Sequence, residues 1–399
     1  MSTVKRKTQS KPMDMSEETL LKSFKPASDA PTLTSLAELE EKEIKKLKNV
    51  GLDFSEHERI GTYIQTNCGV AKCDCHMEGV ELMPITEALK KYDWLKDYWW
   101  KLVAKEKDVF TKETAAHLDN GYFIRALPGA KVVYPVQTCL YIRSENVAQR
   151  VHNIVIAEEG AELHVITGCS THPDLTSALH IGVSEFYIKK GAKLVFTMIH
   201  NWGENIYVRP RTGVLVEEDG VFLSNYVSLK GVKSVQTYPT ARLAGRRALA
   251  RFNSVIVAPE GTVMDSGSRI ILDAPETRGE IVSRTISYGG KVIARGHLVG
   301  NAPGIKAHLE CNGLILAENG VIHAIPELEA HLADVDMSHE AAVGKIAQDE
   351  IEYLMARGLS EEDATATIVR GFLNVKIEGL PPELDAEIQA AVAESHKGI

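Results

Sequence analysis

Val151-His152-Asn153-Ile154-Val155-Ile156, then Glu158-Glu159-Gly160, then Leu163-His164-Val165-Ile166: this stretch decides the fold. Two runs rich in β-branched residues flank a charged pair and a glycine, the composition of two strands joined by a tight turn. Similar turns recur at Lys189-Lys190-Gly191, Glu218-Asp219-Gly220, Pro259-Glu260-Gly261, Tyr288-Gly289-Gly290 and Glu318-Asn319-Gly320. Their final glycines lie 31, 29, 41, 29 and 30 residues apart. A strand-turn-strand unit repeated at that period cannot bury its apolar face alone, so it must stack on its neighbours. No helices alternate with the strands as a βαβ fold requires. The expectation is a mainly β chain built as a β-helix or solenoid, with an irregular β-sandwich as the alternative.

Outward from this core the texture changes. Residues 1–33 are polar, with Ser, Lys and Pro, and read as a disordered tail. Residues 36–48 read as a charged amphipathic helix ending near Gly51. A second helical stretch over 85–105 carries Tyr92, Trp94, Tyr98, Trp99 and Trp100, a density suited to docking on a large surface. After Pro326 the chain reads as helical again. Ser338 is placed to cap a helix over 340–356 that stops at Gly358, and Ser360-Glu361-Glu362-Asp363 is a capping box for the next, to about Gly371. Pro381-Pro382 would introduce a last short helix. The division expected is a tail (1–33), an N-terminal helical region with a cysteine cluster (34–120), the β-solenoid (121–326) and a C-terminal helical domain (327–399).

Composition narrows the function. The 399 residues are 44% hydrophobic and 25% charged, ordinary for a globular chain, and no apolar run is long enough to span a bilayer. Lys5, Arg6, Lys7 and Lys11 have no apolar segment behind them, so no secretory signal is expected. With a net charge of −9 and one short basic cluster, nucleic acid is not an expected partner. Six scattered cysteines do not make a disulfide framework, so the expected compartment is a reducing cytoplasm. No phosphate-binding loop, dinucleotide fingerprint or nucleophile elbow is present, and the expectation is a protein that is not itself an enzyme. A sugar-active β-helix enzyme would want an Asp/Lys/Arg cluster in a groove and usually a secretion signal.

Cys311, just before a solenoid turn, is a candidate thiolate ligand for iron–sulfur chemistry, or else a buried small hydrophobe. His339-Glu340 follows 28 residues later, close to one period, so the pair is expected on a neighbouring layer facing Cys311. The same pair also fits the first turn of a helix, where Glu suits the helix dipole. Cys68, Cys73, Cys75 and His76 form a C-x4-C-x-C-H cluster without the paired spacing of zinc ribbons or ferredoxins. It reads as a second metal or sulfur-acceptor site, or as plain buried thiols.

Three stretches resemble the SufB/SufD family of iron–sulfur cluster assembly proteins, over about residues 120–380. They are Tyr141-Ile142-Arg143 with Gly168-Cys169-Ser170; Ile199-His200-Asn201-Trp202; and Cys311-Asn312-Gly313-Leu314-Ile315-Leu316 with Ser338-His339-Glu340-Ala341 and the run from Gly358 to Phe372. The resemblance implies a right-handed parallel β-helix flanked by N-terminal and C-terminal helical subdomains. It implies a scaffold that holds a nascent cluster, of [4Fe-4S] type, on Cys311, His339 and Glu340. Cys169 would take sulfur from a desulfurase, and Arg143, His200 and Trp202 would line the sulfur path. It implies a SufC-like ABC ATPase docked on the C-terminal helices at 340–372, pairing of two β-helices as a homodimer or a SufB/SufD-type heterodimer, and delivery to apo iron–sulfur acceptor proteins. A SufD-like adapter that builds no cluster is the alternative. The sequence departs from the SufB pattern at His200, Glu145 and Ser338, where Gln, Asn and an acidic residue are common.

Overall fold

A computed structural model describes residues 16–33 and 35–373. Its body is a β-solenoid of about eight turns in which every coil adds a strand to each of two sheets, one of ten strands and one of twelve. Eight strands of the ten-stranded sheet stack in parallel: Val136–Ile142, Glu162–Thr171, Lys193–Asn201, Val221–Ser228, Leu249–Pro259, Arg278–Tyr288, Ile305–Ile315 and Val335–Gly344. Parallel pairing between successive coils excludes the antiparallel sandwich.

Glycine takes the left-handed backbone at several of these turns, with φ of 66° at Gly160, 64° at Gly191 and 81° at Gly261, whereas in the turn before Gly220 it is Asp219 that is left-handed, with φ of 55°. The turns fall into two classes, which explains the 41-residue step. Gly220 precedes a strand of the ten-stranded sheet, whereas Gly261 precedes Val263–Leu272 of the other. Within one sheet the repeat is even: Val221 pairs with Leu249 and Leu249 with Arg278, steps of 28 and 29 residues.

Side chains alternate in and out along each strand. The inward set includes Phe186, Phe196, Phe222 and Phe252, whose rings follow one another at 4.7 to 5.9 Å. The solenoid is capped at its first end. There Gly61–Thr66, parallel to Val136–Ile142, pairs antiparallel with Gly69–Cys75, and Val80–Pro84 pairs antiparallel with Tyr122–Ala126. At the other end Val321–Ala330 and Val335–Gly344 have no further strand beyond them among the described residues, and most of their side chains are exposed.

Several expectations change. Residues 338–344 are strand, not the start of a helix; the helix is Gln348–Met355. Ala and Glu favour helix there, but pairing of ten residues with the Cys311 strand decides the local structure. The solenoid therefore begins before 121 and runs past 326. The supposed tail holds a helix, Glu17–Lys22, and its Lys25-Pro26 pairs with Val147-Ala148; residues 1–15 and the helix expected after Pro381-Pro382 lie outside the described residues. The helix over 36–48 is split into Leu36–Glu38 and Glu41–Lys48, and that over 85–105 is reduced to Ile85–Lys91 and a single-turn stretch Asp93–Asp97. The aromatic cluster docks on this chain's own solenoid: Tyr92 and Trp94 meet Phe123, and Tyr98 meets Tyr187. Ser360 does cap the last helix, accepting the Asp363 N–H at 3.0 Å.

Candidate functional site

Strand register places the two key thiols inside the solenoid. Cys169 lies in register with His200 on the next rung, and both are inward-facing and buried. Cys311 lies in register with Ser283, also inward-facing, five rungs from the Cys169 strand. At about 4.8 Å per rung the thiols stand roughly 24 Å apart along the axis.

A few polar groups lie among the apolar side chains between them. His200 Nδ1 lies 3.0 Å from the Tyr226 hydroxyl, and the Trp202 ring contacts both His200 and His180. The Trp202 indole nitrogen is buried with no hydrogen-bond partner among the described residues. Tyr226 opens onto a cavity of about 60 Å³ that Ser254, Ser266, Ser268 and Ser283 also line. Phe186, Phe196, Phe222 and Phe252 line it beside the serines, so its walls are more apolar than polar, and Ser283 is the register neighbour of Cys311. Register places the hydroxyls of Tyr226, Ser254 and Ser283 in one row leading to Cys311, and Tyr226 also meets His200, the rung neighbour of Cys169. The serines were missed in the sequence, although stepping back from Cys311 by one coil at a time lands on Ser283, Ser254 and Tyr226.

Burial controls the titration here. It pushes the Cys169 thiol well above its ordinary range and the Cys311 thiol up to about 11. It also holds His200 and His180 down to about 3, so both imidazoles are neutral near pH 7. A protonated thiol is neither a nucleophile nor a metal ligand, so this arrangement is a resting one.

The other candidates are dispersed. Arg143 does not line the interior. Its guanidinium lies on the outer surface and donates to Glu43 of the helix Glu41–Lys48, Nε to Oε1 at 2.9 Å and Nη2 to Oε2 at 3.2 Å. His339 shares the inward face with Cys311, one rung on and two residues diagonal, because Leu309 pairs with His339 and Cys311 with Ala341. Glu340 stacks on Glu310 and points to the opposite face, so a single chain brings two of the three expected ligands together. The three N-terminal cysteines do not converge either. Cys73 and Cys75 share one face of Gly69–Cys75 and pack against the core, their Sγ atoms 3.8 Å from the Leu82 carbonyl and 3.5 Å from the Val80 carbonyl. Cys68 is in the hairpin turn, roughly 16 Å along an extended chain from Cys73. Burial pushes Cys73 up to about 12.

The described residues form a parallel β-solenoid that encloses two buried thiols, Cys169 and Cys311. A family model for the SUF system FeS cluster assembly, SufBD core domain, matches residues 140–372. A relative from Archaeoglobus fulgidus described as an iron–sulfur cluster assembly SufBD family protein is 55% identical over 347 residues, covering 87% of this chain and 93% of that protein. One of the same description from Methanothermobacter thermautotrophicus (strain Delta H) is 48% identical over 378 residues, covering 94% and 92%. The iron–sulfur cluster assembly protein SufB of Bacillus subtilis is 33% identical over 327 residues, covering 80% of this chain and 70% of that protein. The chain belongs to the SufBD family of iron–sulfur cluster assembly proteins.

Proposed function

We propose that the protein is a cytoplasmic scaffold on which a nascent iron–sulfur cluster is built as cargo and then passed to apo acceptor proteins. The observation that carries this reading is the row of inward hydroxyls, Tyr226, Ser254 and Ser283, that runs in register from the partner of His200 to Cys311. Sulfur enters when the Cys169 thiolate attacks the terminal sulfur of a donor persulfide; the donor S–S bond breaks and the donor leaves as thiolate. Release of that sulfur as hydrosulfide takes a thiol reductant. The hydroxyls of Tyr226, Ser254 and Ser283 and the unpartnered Trp202 N–H are suited to receive such an anion.

Cys311 and His339 offer one thiolate and one imidazole from a shared face, a donor set suited to iron and too small to hold a [4Fe-4S] cluster alone. Two copies meeting at their open ends would double it. With no phosphate-binding loop in the chain, the energy for release is assigned to a SufC-like ABC ATPase. The exposed Tyr353, Met355 and Leu359 around the C-terminal helices are its proposed footing. The outward turn of Glu340 favours a second reading, an adapter that supports a complex without building a cluster.

Anaerobic reconstitution with iron and sulfide separates the two. The scaffold reading expects a visible absorption band and bound iron in the wild type, loss of both in Cys311→Ser, weakening in His339→Ala and retention in Glu340→Ala. A wild-type chain that takes up no iron leaves the adapter reading standing.

A further inference from the structure

A groove of about 610 Å³ runs along the outer face of the ten-stranded sheet, on the other side of that sheet from the polar interior. Successive rungs contribute Lys193, Val221, Leu249, Arg278 and Lys306 in register, one beside the next. In the adjacent row Leu223 widens the apolar floor, and Arg251 is neutralised by Glu280 at 3.0 Å. Lys193, Arg278 and Lys306 line the groove without an ion pair of 4 Å or less among the described residues. Asp336, beside Lys306 in register, is the one other carboxylate lining it. The groove thus keeps an excess of two positive charges in a chain whose net charge is −9.

Two features of this arrangement select a ligand. Arg278 and Lys306 are like charges directly opposite one another on neighbouring strands, a placement that costs stability until an anion sits between them. An arginine guanidinium also matches the oxygens of a phosphate in a two-pronged hydrogen bond. Beside these cations lies an apolar strip of Val221, Leu223 and Leu249, and Lys193 closes the far end, three rungs or about 14 Å from Arg278. The volume falls in the range of small-molecule sites. We propose that the groove binds an elongated organic phosphate, its phosphate groups against Arg278 and Lys306 and its apolar or aromatic body on Val221, Leu223 and Leu249. Lys306 is on the strand that carries Cys311, so an occupied groove also braces the last rungs of the solenoid.

The test uses the full chain with three probes, ADP, inorganic pyrophosphate and adenosine, followed by calorimetry at low salt. ADP is expected to bind at least about tenfold more tightly than either pyrophosphate or adenosine, since the site needs both halves of the ligand. The double variant R278E/K306E is expected to lose at least about tenfold in ADP affinity while keeping the wild-type circular dichroism spectrum. Leu249→Ser, which removes apolar floor without adding charge beside Arg278, is expected to weaken ADP and leave pyrophosphate unchanged. The proposal is overturned if ADP does not bind at about 1 mM, if R278E/K306E binds it as the wild type does, or if pyrophosphate equals ADP.

Discussion

His180 and His200 are each 3% exposed, inside a solenoid whose walls offer them neutral partners: Gln149 Oε1 at 2.9 Å from His180 Nδ1, and the Tyr226 hydroxyl at 3.0 Å from His200 Nδ1. Enclosure lowers both from 6.5 to about 3, with His180 adding to the effect on His200. A depressed folded-state value means that the unfolded chain takes up protons first as pH falls. The stability these residues contribute is whole above about pH 6.5 and is lost below it. At about pH 5 each costs about 2 kcal/mol, 1.36 kcal/mol for every unit below 6.5. The buried thiols work at the other extreme. Their raised values leave stability intact below about pH 9 and erode it above, as the unfolded thiols ionise first. Urea midpoints at about pH 7.5 and pH 5 should therefore differ in the wild type, and His200→Gln should recover about 2 kcal/mol of that difference. An unchanged pH dependence in His200→Gln would show that the enclosed imidazole does not resist protonation.

The helix Glu41–Lys48 lies against the outer face of the strand that carries Cys169, so close that a Cβ on Gly168 would meet the Val50 carbonyl oxygen at 2.6 Å. One buried carboxylate ties it down. Burial alone would raise the Glu43 carboxyl, but the Arg143 guanidinium, the Glu40 N–H and the Tyr141 hydroxyl outweigh burial and hold it below its ordinary value. Arg143→Ala leaves that carboxylate enclosed and under-compensated, with an expected loss of about 3 kcal/mol. Denaturant unfolding measures the loss, and hydrogen exchange should place it in the helix amides; Arg143→Ala combined with Glu43→Gln should be milder than Arg143→Ala alone. The contact joins residues 100 positions apart, and this is why Arg143 was misplaced from sequence. Repetition was legible: the turn glycines report a local backbone need, and their spacing fixes the coil. The period sets which rungs are neighbours, and the in-out alternation along each strand puts Cys169, His200 and Cys311 on the inner face. His339 and Glu340 were expected together on the face of Cys311, but neighbours along a strand point to opposite faces; the coil of 30 residues pairs Ala341 with Cys311, so His339 keeps that face and Glu340 takes the other.

The solenoid as a whole is asymmetric. Its first end is closed by two antiparallel pairings, and its last ends in two ten-residue strands and the turn between them, which expose Val321 (46%), Leu328 (37%), Leu332 (44%) and Val343 (42%). An uncovered strand edge with exposed apolar residues is a template for pairing, and repeat proteins place polar caps where no partner is meant to sit. Val321–Ala330 and Val335–Gly344 carry no such cap among the described residues, and their exposed inner face presents His339, one of the two donors of the proposed cluster site. Solvation favours covering this surface, and on the proposed scaffold reading coordination favours it too. If two copies meet there, sedimentation should show a dimer, and Val343→Asp with Leu328→Asp should convert it to a folded monomer that also loses bound iron on reconstitution. A variant that becomes monomeric yet keeps its iron would break the link between pairing and the cluster site. A wild type that is monomeric by itself would instead direct the open end to a different SufBD chain, with the second set of ligands supplied from there.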